Sequence, residues 1–162
     1  MNENLKIKRI LITGAGGSPS TNFVRSLKSS PEKFYFIGVD SNKYYLQRAE
    51  TDEKYLVQPR YDKDYIGVLN KVIENTKADF IHAQNSAELE VLSENREKIK
   101  TNYFLPSKET VRICQDKYQA YKKWEASKLP QPKTLFLNNE EDLKNAFKEL
   151  GDKIWLREIS KK

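Results

Sequence analysis

The run Ile10-Leu11-Ile12-Thr13-Gly14-Ala15-Gly16-Gly17-Ser18 sets an apolar, β-rich segment directly before a cluster of glycines. That order has a chemical use. Glycines permit a tight turn and close backbone approach to a ligand, and a helix beginning just after them aims its unpaired N–H groups at an anion. The stretch from Ser20 to Leu27 suits such a helix. Gly14, Gly16, Gly17 and Ser18 are therefore candidates for an anion- or substrate-binding loop. The dinucleotide fingerprint is matched loosely: Gly14-x-Gly16 is present, but Pro19 takes the third glycine position. Asp40, at the end of the next apolar run, could bind a ribose hydroxyl, or simply end a strand as acidic residues commonly do in such folds.

Other reactive groups are few. His82 falls at the end of a strand-like run, where α/β folds place ligands, although a lone histidine there is more often structural. Asn85-Ser86-Ala87-Glu88 follows the same run and could line a crevice, or Ser86 could simply cap a helix. One histidine and one cysteine make a zinc site of the usual ligand set improbable, and a hydrolase serine elbow is missing. Tyr118 and Lys122 meet the spacing of a short-chain dehydrogenase pair, in which lysine lowers the tyrosine pKa. With 9 tyrosines and abundant lysine, about one such match is expected by chance.

The elements that must position these residues alternate between strand and helix, the pattern of a Rossmann-like parallel sheet. Strands are predicted at 9–13, 34–39, 55–57, 80–83 and 103–105. Between Asp62 and Lys77, Tyr65, Ile66, Leu69, Val72 and Ile73 recur at three and four residues and predict a helix with one face on the sheet. A second unit is expected from Ser107, giving domains at 1–106 and 107–162. It holds a short helix near 110–114, then a helix capped by Asp116, with Tyr121 and Trp124 on its buried side. Leu129-Pro130-Gln131-Pro132 ends that helix. A strand at 134–137, a helix from Glu140 to Leu150 stopped by Gly151, and a last strand at 153–157 complete the order.

A chain of 162 residues holds one full domain and part of another. No stretch approaches the roughly 20 apolar residues of a membrane helix. The first six residues lack a signal-peptide core, and a single cysteine cannot form an internal disulfide; both favour a cytoplasmic location. The net charge of 29 minus 23, or +6, raises a polyanion partner, but lysines alternate with acids along most of the chain as solvated helix faces do. No nucleic-acid or membrane partner is expected.

The order of elements resembles the N-terminal part of ATP-grasp proteins, most closely the large chain of carbamoyl-phosphate synthase. ILITGAGGSPSTNFVRSL, FIGVDSN and FIHAQNSAELEVLSENRE fall where that family carries its first, second and fourth strand motifs. Asp116-Lys117 matches the pair that opens a helix, Leu129 to Thr134 the proline-rich lead into a strand, and Ile154-Trp155-Leu156-Arg157 a strand bearing a basic residue. The resemblance implies a Rossmann-like pre-ATP-grasp domain followed by the start of an α+β ATP-grasp subdomain. It implies that Lys117 and Arg157 contact ATP, neutralising phosphate oxygens as charge builds in phosphoryl transfer. It implies further that ATP and Mg²⁺ are cofactors of a complete enzyme, an ATP-dependent carboxylate–amine or carboxylate–ammonia ligase with a small carboxylate substrate.

Where the family continues into a proline and a glycine-rich loop, this chain reads Glu158-Ile159-Ser160-Lys161-Lys162, and the family's metal ligands lie farther on. The chain is therefore expected to hold no metal, to bind ATP without great affinity, to be inactive alone and to need the remaining catalytic lobe, on the same or a separate chain. Two other readings stay open: an NAD(P)-binding oxidoreductase domain using Asp40, Tyr118 and Lys122, and a non-catalytic subunit of a split enzyme.

Overall fold

Apolar residues at consecutive positions, with no alternation, mark a strand buried on both faces. Ile10, Leu11, Ile12 and Thr13 form such a strand in the computed structural model of the chain, which describes residues 7–158. This strand, β1 (Lys8–Thr13), is the centre of a five-stranded parallel sheet with β2 (Phe34–Asp40), β3 (Glu53–Leu56), β4 (Phe80–Ala83) and β5 (Asn102–Tyr103) in the order β3-β2-β1-β4-β5. The register carries one row across the sheet, Glu53, Ile37, Leu11, Ile81 and Tyr103. The inner members of that row meet Tyr65, Leu69, Val72 and Ile73 of α3 (Tyr65–Thr76) and Leu92 of α4 (Ser86–Glu94). On the opposite face, Ile10, Ile12 and Phe36 pack with Phe23, Val24 and Leu27 of α1 (Ser18–Lys28).

A short helix, α2 (Lys43–Arg48), links β2 to β3; it buries none of its residues and is set by the Asn42 side chain, which accepts from the N–H groups of Tyr44 and Tyr45. The predicted 62–77 helix is realised as α3, and α3 ends at Lys77 in the left-handed conformation. Strand succession runs outward from β1 to β3, then jumps to β4 on the other side, so the C-terminal ends of β1 and β4 flank the point where the order reverses. Ligand crevices of open α/β sheets form at that point. Thr13 pairs with Ala83 there, which brings the glycine turn after β1 beside the loop after β4.

The chain forms two compact units, Met1–Lys108 and Glu109–Lys162. Helix α5 (Lys108–Gln115) starts at their boundary, and the second unit holds α6 (Lys117–Ala126) and α7 (Glu140–Leu150). The Asp116 carboxylate caps α6, accepting from Tyr118 and Gln119 at 3.0 Å each. Gly151, at φ 102°, ends α7. The strands expected at 134–137 and 153–157 do not form: neither segment pairs into a ladder among the described residues, and Trp155 stands fully exposed. Trp124, expected on a buried face of α6, is half exposed, because Ala120 is the residue that helix buries. Among the described residues no helix is long and apolar enough to cross a membrane.

Candidate functional site

The glycine turn is built inward. Gly14 takes a left-handed backbone (φ 57°), and Gly17 N–H donates back to the Gly14 carbonyl at 3.0 Å, closing a tight turn. Ala15 N–H donates to the Val39 carbonyl, and Gly16 N–H to the Asp40 carboxylate at 3.2 Å. Three successive amides of the turn thus have acceptors inside the fold, and what remains directed outward is the start of α1. There Gly17 is the N-cap and supplies no side-chain acceptor, so the first-turn N–H groups beside exposed Ser18 are not capped by it. Ser20, buried one turn on, donates from its hydroxyl to the Gly14 carbonyl at 2.9 Å and ties the helix to the turn.

Asn85 and Ser86 come to the same place. A Cβ on Gly14 would lie 2.7 Å from Asn85 Nδ2 and 2.9 Å from Glu88 Oε2, so the turn and the start of α4 are in contact. Asn85, and not Ser86 as expected, caps α4: its side-chain oxygen accepts from Glu88 N–H at 2.8 Å, while its amide donates to the Glu88 carboxyl. Ser86 is exposed on the rim. Beneath them Glu88 and Tyr65 are buried, and the Tyr65 hydroxyl donates to Glu88 Oε1 at 3.1 Å. Burial raises the Glu88 pKa above the usual carboxylate range against the hydrogen bonds it accepts, and burial followed by the nearby Glu88 raises that of Tyr65. Glu88 closes the 85–88 segment expected to line a crevice and Tyr65 lies on the predicted 62–77 helix, but nothing in the sequence pairs the two. Glu88 had one legible signal, an acid three residues after an asparagine cap, but Tyr65 lies 23 residues away and meets it only in the fold.

Asp40 is buried, and its two carboxylate oxygens accept from Gly16 and Asn42 N–H groups, so it fastens the turn to β2. His82 stacks on Phe23 with ring centroids 4.0 Å apart, and burial pushes its pKa down, keeping the ring neutral.

The two cations expected to contact ATP lie in the second unit. Lys117 is exposed at the start of α6, its ammonium donating to the Cys114 carbonyl at 2.8 Å. Arg157 is exposed in an irregular segment and not at a strand end. Lys122 sits over the Tyr118 ring, 5.1 Å from its centroid, a packing contact through the ring face. The residues Ile159 to Lys162 lie outside the described residues.

No family model matches the sequence, and no curated protein does. Solved structures do. The biotin carboxylase domain of 2-oxoglutarate carboxylase from Hydrogenobacter thermophilus, solved with magnesium ADP and bicarbonate, matches 90% of this chain at 17% identity and a TM-score of 0.56. Glycinamide-RNase-transformylase T from Mycobacterium tuberculosis matches 86% at 18% identity (TM-score 0.54), and an L-amino acid ligase from Bacillus licheniformis 88% at 11% identity (TM-score 0.57). The chain has the fold of the N-terminal region of ATP-grasp proteins. It spans 33%, 38% and 42% of the length of those three ATP-grasp structures. Its five-stranded parallel sheet is the Rossmann-like layer that opens the ATP-grasp fold.

Proposed function

We propose that the chain is the N-terminal portion of an ATP-dependent carboxylate–amine or carboxylate–ammonia ligase of the ATP-grasp type, similar to the large chain of carbamoyl-phosphate synthase. The observation that carries this reading is the extent of the structural likeness: it takes in 86–90% of the chain and so reaches beyond the sheet into the second unit.

ATP would supply the phosphoryl group that makes a carboxylate oxygen a leaving group, to be displaced by the amine or ammonia. In this chain Lys117 and Arg157 would give positive charge to the phosphate oxygens. Their exposure suits that role, since Lys117 holds a single main-chain carbonyl that a phosphate oxygen outcompetes. The small carboxylate substrate is assigned to the rim formed by Gly14, Gly16, Gly17, Ser18, Asn85 and Ser86, with Ser18 and the start of α1 facing the anion. Among the described residues no three His, Cys, Asp or Glu side chains cluster as metal ligands. Magnesium and the chemical steps are assigned to the rest of the lobe, on the same or a separate chain.

The oxidoreductase alternative is disfavoured by Asp40, whose buried carboxylate already holds two main-chain amides. Equilibrium binding of magnesium ATP and of NAD⁺ tests the choice. The proposal expects no NAD⁺ binding and weak ATP binding that is lost in Lys117→Ala; tight NAD⁺ binding abolished by Asp40→Asn would overturn it.

A further inference from the structure

The connection from β3 to α3 is fastened at both ends to the residues that hold the glycine turn. At its start, Val57 N–H donates to the Asp40 carbonyl at 3.0 Å, and the Asp40 carboxylate in turn accepts from Gly16 N–H. At its end, buried Tyr65 donates from its hydroxyl to Glu88, whose Oε2 lies 2.9 Å from where a Cβ on Gly14 would be. Between these anchors Asp62 N–H donates to the Pro59 carbonyl at 2.9 Å, closing a tight turn with Arg60 at its corner. Arg60 is thereby held at the carboxyl end of the sheet, where its positive charge acts on the Tyr65 hydroxyl.

The Arg60 side chain is exposed, and among the described residues its guanidinium has neither a hydrogen bond nor an ion pair. The carboxylates around it are already engaged. Asp40 holds the Gly16 and Asn42 amides, Glu88 holds Tyr65 and Asn85, Asp62 accepts from Asp64 N–H, and Asp64 faces Lys71 at 3.9 Å. The rim of the glycine turn has the opposite deficit. Its Ala15, Gly16 and Gly17 amides are used inside the fold, Pro19 has no N–H, and the Asn85 side chain is committed to Glu88 and its own helix. A carboxylate placed there lacks a cation, and Arg60 is a cation that lacks a carboxylate. We propose that Arg60 receives the substrate carboxylate at this rim, its planar guanidinium taking both oxygens as a fork. The proposal rests on the assignment of a carboxylate to the rim and adds the residue that fixes its charge and orientation.

The test is a titration of the full chain with acetate and with inorganic phosphate at constant ionic strength, followed by ¹H–¹⁵N correlation spectra of the Arg60 side-chain Nε–H and the Gly17 and Ser18 main-chain amides. Acetate is expected to move all three signals along one saturation curve. Arg60→Gln should weaken acetate binding by about tenfold or more, and Arg60→Lys, which keeps the charge but loses the fork, by less. Lys63→Gln removes an equal charge from the same connection and should leave binding unchanged. Since the Arg60 guanidinium holds no partner, its variants should keep the wild-type urea midpoint, which separates lost binding from lost folding. Rim amides that saturate equally well in Arg60→Gln would overturn the role of Arg60 and leave the rim assignment standing, whereas rim amides that never respond would overturn both. Saturation by phosphate alone, or an equal loss in Lys63→Gln, would overturn the carboxylate fork.

Discussion

Gly16 cannot be replaced at the turn, and the reason is a single distance. A Cβ there would lie 1.9 Å from the Tyr45 carbonyl oxygen, which belongs to the backbone of α2 and has no rotamer with which to move aside. Gly16→Ala should therefore cost at least the 1–3 kcal/mol or so typical of overpacking, measured as a fall in the urea midpoint. Gly151→Ala, by contrast, meets nothing within 4 Å and is strained only by its φ of 102°, so its cost should stay nearer about 1 kcal/mol. His82 supplies a pH dependence of known sign. Burial places its folded pKa below the ordinary value, so as pH drops below about 6.5 the unfolded chain takes up the proton first and stability falls until the folded value is passed. His82→Phe, which preserves the stack on Phe23, should remove that part of the acid-side slope when urea midpoints at pH 7 and pH 5 are compared. Glu88 acts with the opposite sign: its raised pKa means that stability is lost as pH rises through the window above the ordinary carboxylate value.

Helices that face the sheet should be far more sensitive than those of the second unit. Leu69, 1% exposed between α3 and the sheet, should cost about 2–5 kcal/mol on truncation to alanine. Trp124→Ala on α6, where the ring is 52% exposed, should cost well below that, and the two unfolding curves measured side by side decide it. The same contrast explains what the sequence could convey. β1, β2 and β4 are legible as short apolar runs that end up inside the sheet, and α3 because its apolar residues are buried on the face their periodicity implies. α2 was not, since it buries nothing and depends on one asparagine cap. The segments 134–137 and 153–157 have strand-like residues, yet a strand is a relation between two segments and no single segment encodes its partner. At the site, the place of the glycine turn was readable. The inward direction of its amides was not, because it depends on Val39 and Asp40 from a neighbouring strand.

Across the whole molecule, apolar groups in the second unit remain on the surface: Phe147 at 43%, Leu156 at 62% and Trp155 at 101% exposure, with a cavity lined by Phe147, Ile154, Trp155 and neighbours. Exposed residues that make no buried contact should be replaceable, so Lys117→Ala and Arg157→Ala should leave stability within about 0.5 kcal/mol while reducing affinity for ATP. A binding defect without a folding defect is the signature that separates a ligand contact from a structural one. If the chain is the N-terminal portion of such a ligase, the glycine-rich loop and the metal-binding carboxylates belong to a further catalytic lobe. The most direct measurement is the nucleotide sequence of the gene through and beyond the codon for Lys162. A reading frame, or an adjacent gene, encoding a glycine-rich loop followed by acidic metal ligands is the predicted result; a stop codon with no such lobe encoded nearby would contradict the ligase account.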